Sequence, residues 1–237
     1  MAYIDLVASA TPFLEWIVDW QASLPAFDLA AQVNDPNAAA VLSVDVINGF
    51  CYEGPLSSPR VASIVPPITR LFERAHAVGI HNFFLLQDAH NDGAVEFTSF
   101  APHCVGGSVE SETVPELMEL PFASDYTIFP KNSISSDINT QLPAWLEAHP
   151  EVTDFIVVGD CTDLCTYQLA TYLRLRANAL QRADDRVIVP VDCVNTYDLS
   201  IDVAAQLGTF PHHGDLLHLV YLYSMALNGV HTVSAIV

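Results

Sequence analysis

The chain has 237 residues, 51% of them hydrophobic and 15% charged, which suits one sizeable α/β domain with a large core and excludes a disordered chain. Its 28 acidic and 8 basic side chains leave a formal charge of −20, so no basic patch is available for nucleic acid or an anionic membrane surface. Cysteines at positions 51, 104, 161, 165 and 193 form an odd set without disulfide-framework spacing, which points to a reducing compartment. With no basic leader segment and no run apolar enough to span a bilayer, the expectation is a cytoplasmic protein. The acidic excess is also compatible with a salt-rich habitat.

Residues 1–38 read as a helical extension ahead of a main domain at 39–237. Thr11-Pro12 offers a cap and a first helical position. Phe13, Trp16, Ile17 and Trp20 then fall at i, i+3, i+4 and i+7, one apolar stripe. That stripe either covers the domain's own core, which we favour, or contacts another copy. Asn34-Asp35-Pro36-Asn37 closes the segment as a turn. Strands and helices then alternate. Residues 39–46 form an apolar strand reaching Asp45, and 66–78 a helix with Ile68, Leu71, Phe72, Ala75 and Val78 at helical spacing, stopped by Gly79. A second strand, 82–87, also ends in a carboxylate, Asp88. The long connection 89–124 follows, and connections of that length in compact domains tend to carry function. A strand at 126–129 runs into Pro130-Lys131, and residues 138–148 form a helix. The remaining elements are the strand around Ile156-Val157-Val158, a helix to about Asn178, a strand at 186–191, a helix at 216–227 and a last strand at 230–237. Strands separated by helices imply a parallel sheet covered on both faces.

Ile156 to Thr166 is the most informative stretch. Gly159 breaks the strand, Thr162 offers an N-cap oxygen, and Cys165 then falls in the first turn of a helix. Unpartnered N–H groups and the helix dipole there favour a thiolate. The alternative is a buried, inert cysteine. Ligands of open α/β sheets bind outside the carboxyl ends of the strands, where Asp45, Asp88, Lys131 and Cys165 all sit, on four strands. Lys131 is the only lysine in the chain. A carboxylate to take the thiol proton and an ammonium to stabilise the thiolate suit nucleophilic catalysis.

These segments (Ser43-Val44-Asp45-Val46-Ile47-Asn48-Gly49-Phe50, Phe129-Pro130-Lys131-Asn132-Ser133 and Thr162-Asp163-Leu164-Cys165) resemble, in order, the three catalytic motifs of the isochorismatase-like cysteine hydrolases, nicotinamidases among them. The resemblance covers about residues 39–237. It implies a six-stranded parallel sheet with helices on both sides, a catalytic trio Asp45, Lys131 and Cys165, and an oxyanion site made by the backbone N–H groups of Cys161 and Cys165 beside a cis Asp160–Cys161 peptide. Asp88, His90, Glu96 and His103 lie within sixteen positions, and their mix of oxygen and nitrogen donors suits one divalent transition metal, zinc first, iron or manganese otherwise. Asp88-x-His90 and Pro102-His103-Cys104 match the nicotinamidase pattern, with Glu96 as a fourth ligand. Phe50 and Phe100 would flank a substrate ring, with Leu164 beside the nucleophile. Ile47, Gly49 and Leu164 depart from the nicotinamidase pattern at positions expected to line the pocket. His212, His213 and His218 read as ordinary helix and loop residues. The implied activity is hydrolysis of nicotinamide to nicotinate and ammonia through a cysteine thioester, within pyridine nucleotide salvage, by a homo-oligomer whose partner is a small amide. A different small-amide or imide hydrolase of the family is the alternative, and a non-catalytic binding protein a more distant one.

Overall fold

In the computed structural model, which describes residues 5–237, seven strands form one sheet in which every pairing is parallel. They are β1 (Ala39–Val44), β2 (Asn82–Asp88), β3 (Tyr126–Lys131), β4 (Asp154–Asp160), β5 (Arg186–Pro190), β6 (Val194–Asn195) and β7 (His231–Val233). The order is β3-β2-β1-β4-β5-β7, and the two-residue β6 pairs with the end of β4. The implied six strands form that path, with β6 added. The longer helices are α1 (Leu6–Ala22), α2 (Val65–Ala77), α3 (Leu142–Ala148), α4 (Cys165–Ala179), α5 (Ile201–Leu207) and α6 (Gly214–Leu227). Residues 1–4 of the expected extension lie outside the described residues.

Alternate side chains of a strand face opposite sides, and the core divides accordingly. Ala40, Leu42, Val44, Phe84, Leu86, Phe155 and Val157 pack with Leu169 and Leu173 of α4 and Leu222 of α6. Val41, Phe83, Leu85, Ile156 and Val158 pack with Ile68, Leu71, Phe72 and Ala75 of α2. From β1 the chain moves outward to β2 and β3, then returns to place β4 on the other side of β1. The carboxyl ends of β1 and β4 therefore flank a switch point, where such sheets open a crevice. Gly159 makes this pair possible: its φ is 119°, it is in register with Val44, and a Cβ would stand 2.0 Å from the Val44 carbonyl oxygen.

Several boundaries differ from expectation. Helix α1 starts at Leu6, capped by Asp5, whose carboxylate accepts from the Ala8 amide at 3.2 Å. Thr11 is not the cap, because its hydroxyl donates back to the Val7 carbonyl at 2.9 Å, and Pro12 lies inside the helix. The stripe does cover the domain: Ile17 is fully buried, and Phe13, Trp16 and Trp20 surround Tyr223 of α6 at 5.4, 5.7 and 5.6 Å. The outer edges of Phe13 and Trp16 stay exposed. Helix α3 begins at Leu142 rather than 138. The last strand stops at Val233, and residues beyond it run beside Phe27, which donates to Ala235 O and accepts from Val237 N, both at 2.9 Å. No helix among the described residues is long and apolar enough to cross a membrane.

Candidate active site

Asp45 is the first residue beyond β1 and takes a left-handed φ of 54°, a conformation its short polar side chain tolerates. Its Oδ1 accepts from the Asp88 amide at 2.8 Å. Asp88 and Lys131 end neighbouring strands in register. Lys131 Nζ is 2.7 Å from Asp45 Oδ2 and 2.6 Å from Asp88 Oδ1, donates to Ser133 O at 3.3 Å, and lies 3.7 Å from Cys165 Sγ. Asp45, Asp88, Lys131 and Cys165 are all buried. The sheet thus gathers the four residues placed at its strand ends.

Cys165 opens α4 as its first residue, but Thr162 is not its cap. Residues 161–164 form a turn of their own, Leu164 holds the cap position without a side-chain bond, and the Thr162 hydroxyl meets His218 Nδ1 at 2.8 Å. The Asp160–Cys161 peptide is cis. The Leu164 and Thr166 amides donate to the Cys161 carbonyl at 3.0 and 3.2 Å, whereas the Cys161 and Cys165 amides meet no acceptor among the described residues.

Charge states follow from burial. Desolvation raises the Asp45 carboxyl to about 6, reinforced by Asp88 and opposed by Lys131. Burial also pushes the Cys165 thiol well up, more than the Lys131 ammonium pulls it down. Burial thus works against the easy ionisation expected at the helix terminus, with the Lys131 ammonium on the other side of the balance. Asp160, behind it, is likewise raised by burial and by Asp45. Lys131 loses to desolvation but gains more from Asp45 and Asp88, so its ammonium is held charged.

Next to this cluster, Asp88, His90 and His103 bring their donor atoms within 4.8 Å of one another. A bridge between His90 and Val105 folds the long connection back on itself, which carries His103 to His90. His103 Nδ1 faces the Ala101 carbonyl at 2.8 Å. His90 Nδ1 faces Asn132 Oδ1 at 3.3 Å, an oxygen that also accepts from the Asn91 amide. In the neutral ring each Nδ1 then carries the proton, and each Nε2 is left facing Asp88 Oδ2, at 3.4 and 3.8 Å. His90 Nε2 is buried with no hydrogen-bond partner. Three acceptors converging without a donor fit a cation. Glu96 approaches, with Oε1 at 3.9 Å from His90 Nε2, but its Oε2 accepts from the Ile134 amide at 3.2 Å.

Phe50 and Phe100 stand 5.6 and 6.2 Å from the His103 ring. Phe97, not among the expected pocket residues, lies 5.3 Å from His90 and 5.6 Å from His103; its place beside Glu96 is the signal for it in the sequence. Leu164 is partly buried beside Cys165. Ile47 and Gly49 do not shape the pocket as expected: Ile47 is sealed in the core, and Gly49 abuts Cys104 and Glu110. His212 lies in a loop and His218 in α6, as expected, but both make side-chain hydrogen bonds near the nucleophile. His218 pairs with Thr162, and His212 is buried with Nε2 at 2.8 Å from Asp163 Oδ2. Nothing in their spacing announced these contacts.

The chain is similar to known proteins along most of its length. Nicotinamidase 1 of Arabidopsis thaliana is 29% identical over 220 residues, 86% of this chain and 88% of that protein. The nicotinamidase of Bacillus subtilis shares the fold with a TM-score of 0.64 at 18% identity, covering 83% of this chain and 99% of that one. So does the pyrazinamidase of Pyrococcus horikoshii in complex with zinc, with a TM-score of 0.62 at 18% identity over 83% and 98% of the two chains. The isochorismatase domain matches residues 39–213, most of the chain, and the protein belongs to that family.

Proposed function

We propose that the protein hydrolyses a small carboxamide, nicotinamide before others, to the carboxylate and ammonia. The observation that carries this reading is the buried contact of the only lysine with a thiol and two carboxylates, beside converging imidazoles. The likeness to a nicotinamidase along most of the chain supports it.

In this mechanism Cys165 Sγ attacks the amide carbon while its proton passes to Asp45, whose raised affinity for protons suits it to accept one. The carbonyl oxygen takes up the electron pair and meets the free amides of Cys161 and Cys165. Asp45 gives its proton to the leaving nitrogen, the C–N bond breaks, and ammonia departs from a thioester. Asp45 then takes a proton from water as the water attacks the thioester, and the acid leaves as the thiol is restored. Lys131 keeps two carboxylates and a nascent thiolate together without exchanging its proton.

Asp88, His90 and His103, with Glu96 adjacent, would hold the divalent transition metal, zinc before iron or manganese. When bound, the metal supplies a Lewis acid for a pyridine nitrogen. Phe50, Phe97 and Phe100 would sandwich the ring, with Leu164 at its reacting end. A cytoplasmic place in pyridine nucleotide salvage belongs to the same reading, supported by five unpaired cysteines. The apolar Leu164 before the nucleophile favours a second substrate class, other small amides or imides.

Ammonia release from nicotinamide, pyrazinamide and small aliphatic amides tests the proposal. We expect turnover of nicotinamide by the wild type, none by Cys165→Ala with its circular dichroism unchanged, and about one metal per chain that His103→Ala loses. Turnover by Cys165→Ala would remove the nucleophile, and full activity without metal would remove the metal site.

A further inference from the structure

Asp45 and Asp88 face the Cys165 thiol but make no hydrogen bond to residues 161–164, so another group fixes the direction of the Cys161 and Cys165 amides. Asp163 lies midway between them and is buried. Its Oδ1 accepts from the Thr196 hydroxyl at 2.6 Å and its Oδ2 faces His212 Nε2 at 2.8 Å. Burial works against this carboxylate, but the imidazole and hydroxyl donors hold it below its ordinary range, so it stays an acceptor. His212 is itself pinned: Nδ1 donates to the Tyr197 carbonyl at 2.9 Å, its ring stacks on Tyr197 at 3.8 Å, and its backbone exchanges two bonds with Leu199. The other side of the support is Arg60, which donates to the Thr196 carbonyl at 3.1 Å and to Asn195 Oδ1 at 3.2 Å. Asn195 O in turn accepts from the Thr162 amide at 2.9 Å.

We infer that Asp163 is a positioning residue for the oxyanion-binding turn, and that the segment 195–213 sets the direction of the Cys161 and Cys165 amides through Thr196 and His212. A buried hydrogen-bonded pair of this kind contributes little net stability once desolvation is counted, while fixing geometry well. The turn's other side-chain hydrogen bond, from the Thr162 hydroxyl to His218, runs to α6 instead, and Leu164 offers no polar atom. The inference rests on the proposed role of these amides.

The test compares wild type with Asp163→Ala, Asp163→Asn, His212→Ala and the double variant Asp163→Ala/His212→Ala. On whichever amide the wild type turns over, Asp163→Ala should lower kcat by about 10²-fold, the scale of one lost oxyanion donor, with KM nearly unchanged. Asp163→Asn, which keeps an acceptor for Thr196, should recover part of that loss. The double variant should be no slower than Asp163→Ala, because both changes break one contact. Hydrogen–deuterium exchange without substrate should rise in Asp163→Ala over 161–166 and not in β1 or α2. If the wild type hydrolyses no amide, the functional reading fails while exchange still decides on the turn. Unchanged kcat, KM and kcat moving together with a general loss of melting temperature, or exchange rising uniformly would each overturn the inference.

Discussion

A lysine with both carboxylates within hydrogen-bond distance and a thiol at 3.7 Å has no room for a broader head group. Lys131→Arg keeps the charge but replaces a compact ammonium with a planar fork, so it should be nearly as inactive as Lys131→Ala. Alkylation of Cys165 by iodoacetamide should shift to higher pH in both; a one-unit shift would correspond to about 1.4 kcal/mol of lost thiolate stabilisation. Asp45 sets the acid limb of activity. Its folded value is raised from 3.8 to about 6 and the mechanism needs the carboxylate, so turnover should fall as pH drops through about 6. The sign for stability is opposite: a raised carboxyl favours folding at acid pH and loses that contribution as pH rises through the folded value. Between about pH 4 and 6 this residue therefore predicts a protein that is slow yet folded, seen by comparing ammonia release with circular dichroism. Asp45 and Lys131 were legible in the sequence at strand ends, and Cys165 at the start of the helix that follows β4, because the sheet gathers its strand ends. The upward push on the thiol was not, because it depends on how deeply the cluster is buried.

At the scale of elements, the contact between β1 and β4 decides most. Gly159→Ala would drive a methyl into the Val44 carbonyl at a left-handed backbone position. It should cost about 3–5 kcal/mol, in the exceptional range for single changes, and should separate Asp45 from Cys165. Loss of melting temperature together with activity checks it; a variant of wild-type stability and rate would show that the strands can part harmlessly. The strands were readable as short apolar runs and α2 from helical spacing, as Ile68, Leu71, Phe72 and Ala75 illustrate. Caps were not. Thr11 and Thr162 have the chemistry of a cap, but a hydroxyl bonds to whatever lies nearest, and here that was Val7 O and His218. The C-terminal strand was read too long because the apolar residues after Val233 pair with Phe27, two hundred positions away.

Across the whole molecule, a charge of −20 on 237 residues opposes folding through self-repulsion. Raising ionic strength from about 0.01 to 1 M shortens the screening length from about 30 to 3 Å. The melting temperature should therefore climb with sodium chloride; a fall across that range would show that screened ion pairs such as Arg186–Asp154 outweigh the repulsion. The seclusion of Lys131 reaches beyond catalysis. Aside from the chain's α-amine, the folded protein presents no primary amine to solvent, since its single ε-amine is 2% exposed. Acylating reagents, amine-directed cross-linkers and enzymes that tag lysines accordingly meet one ε-amine that opens only when the site does, so labelling of Lys131, read apart from that of the α-amine, reports on opening of the site.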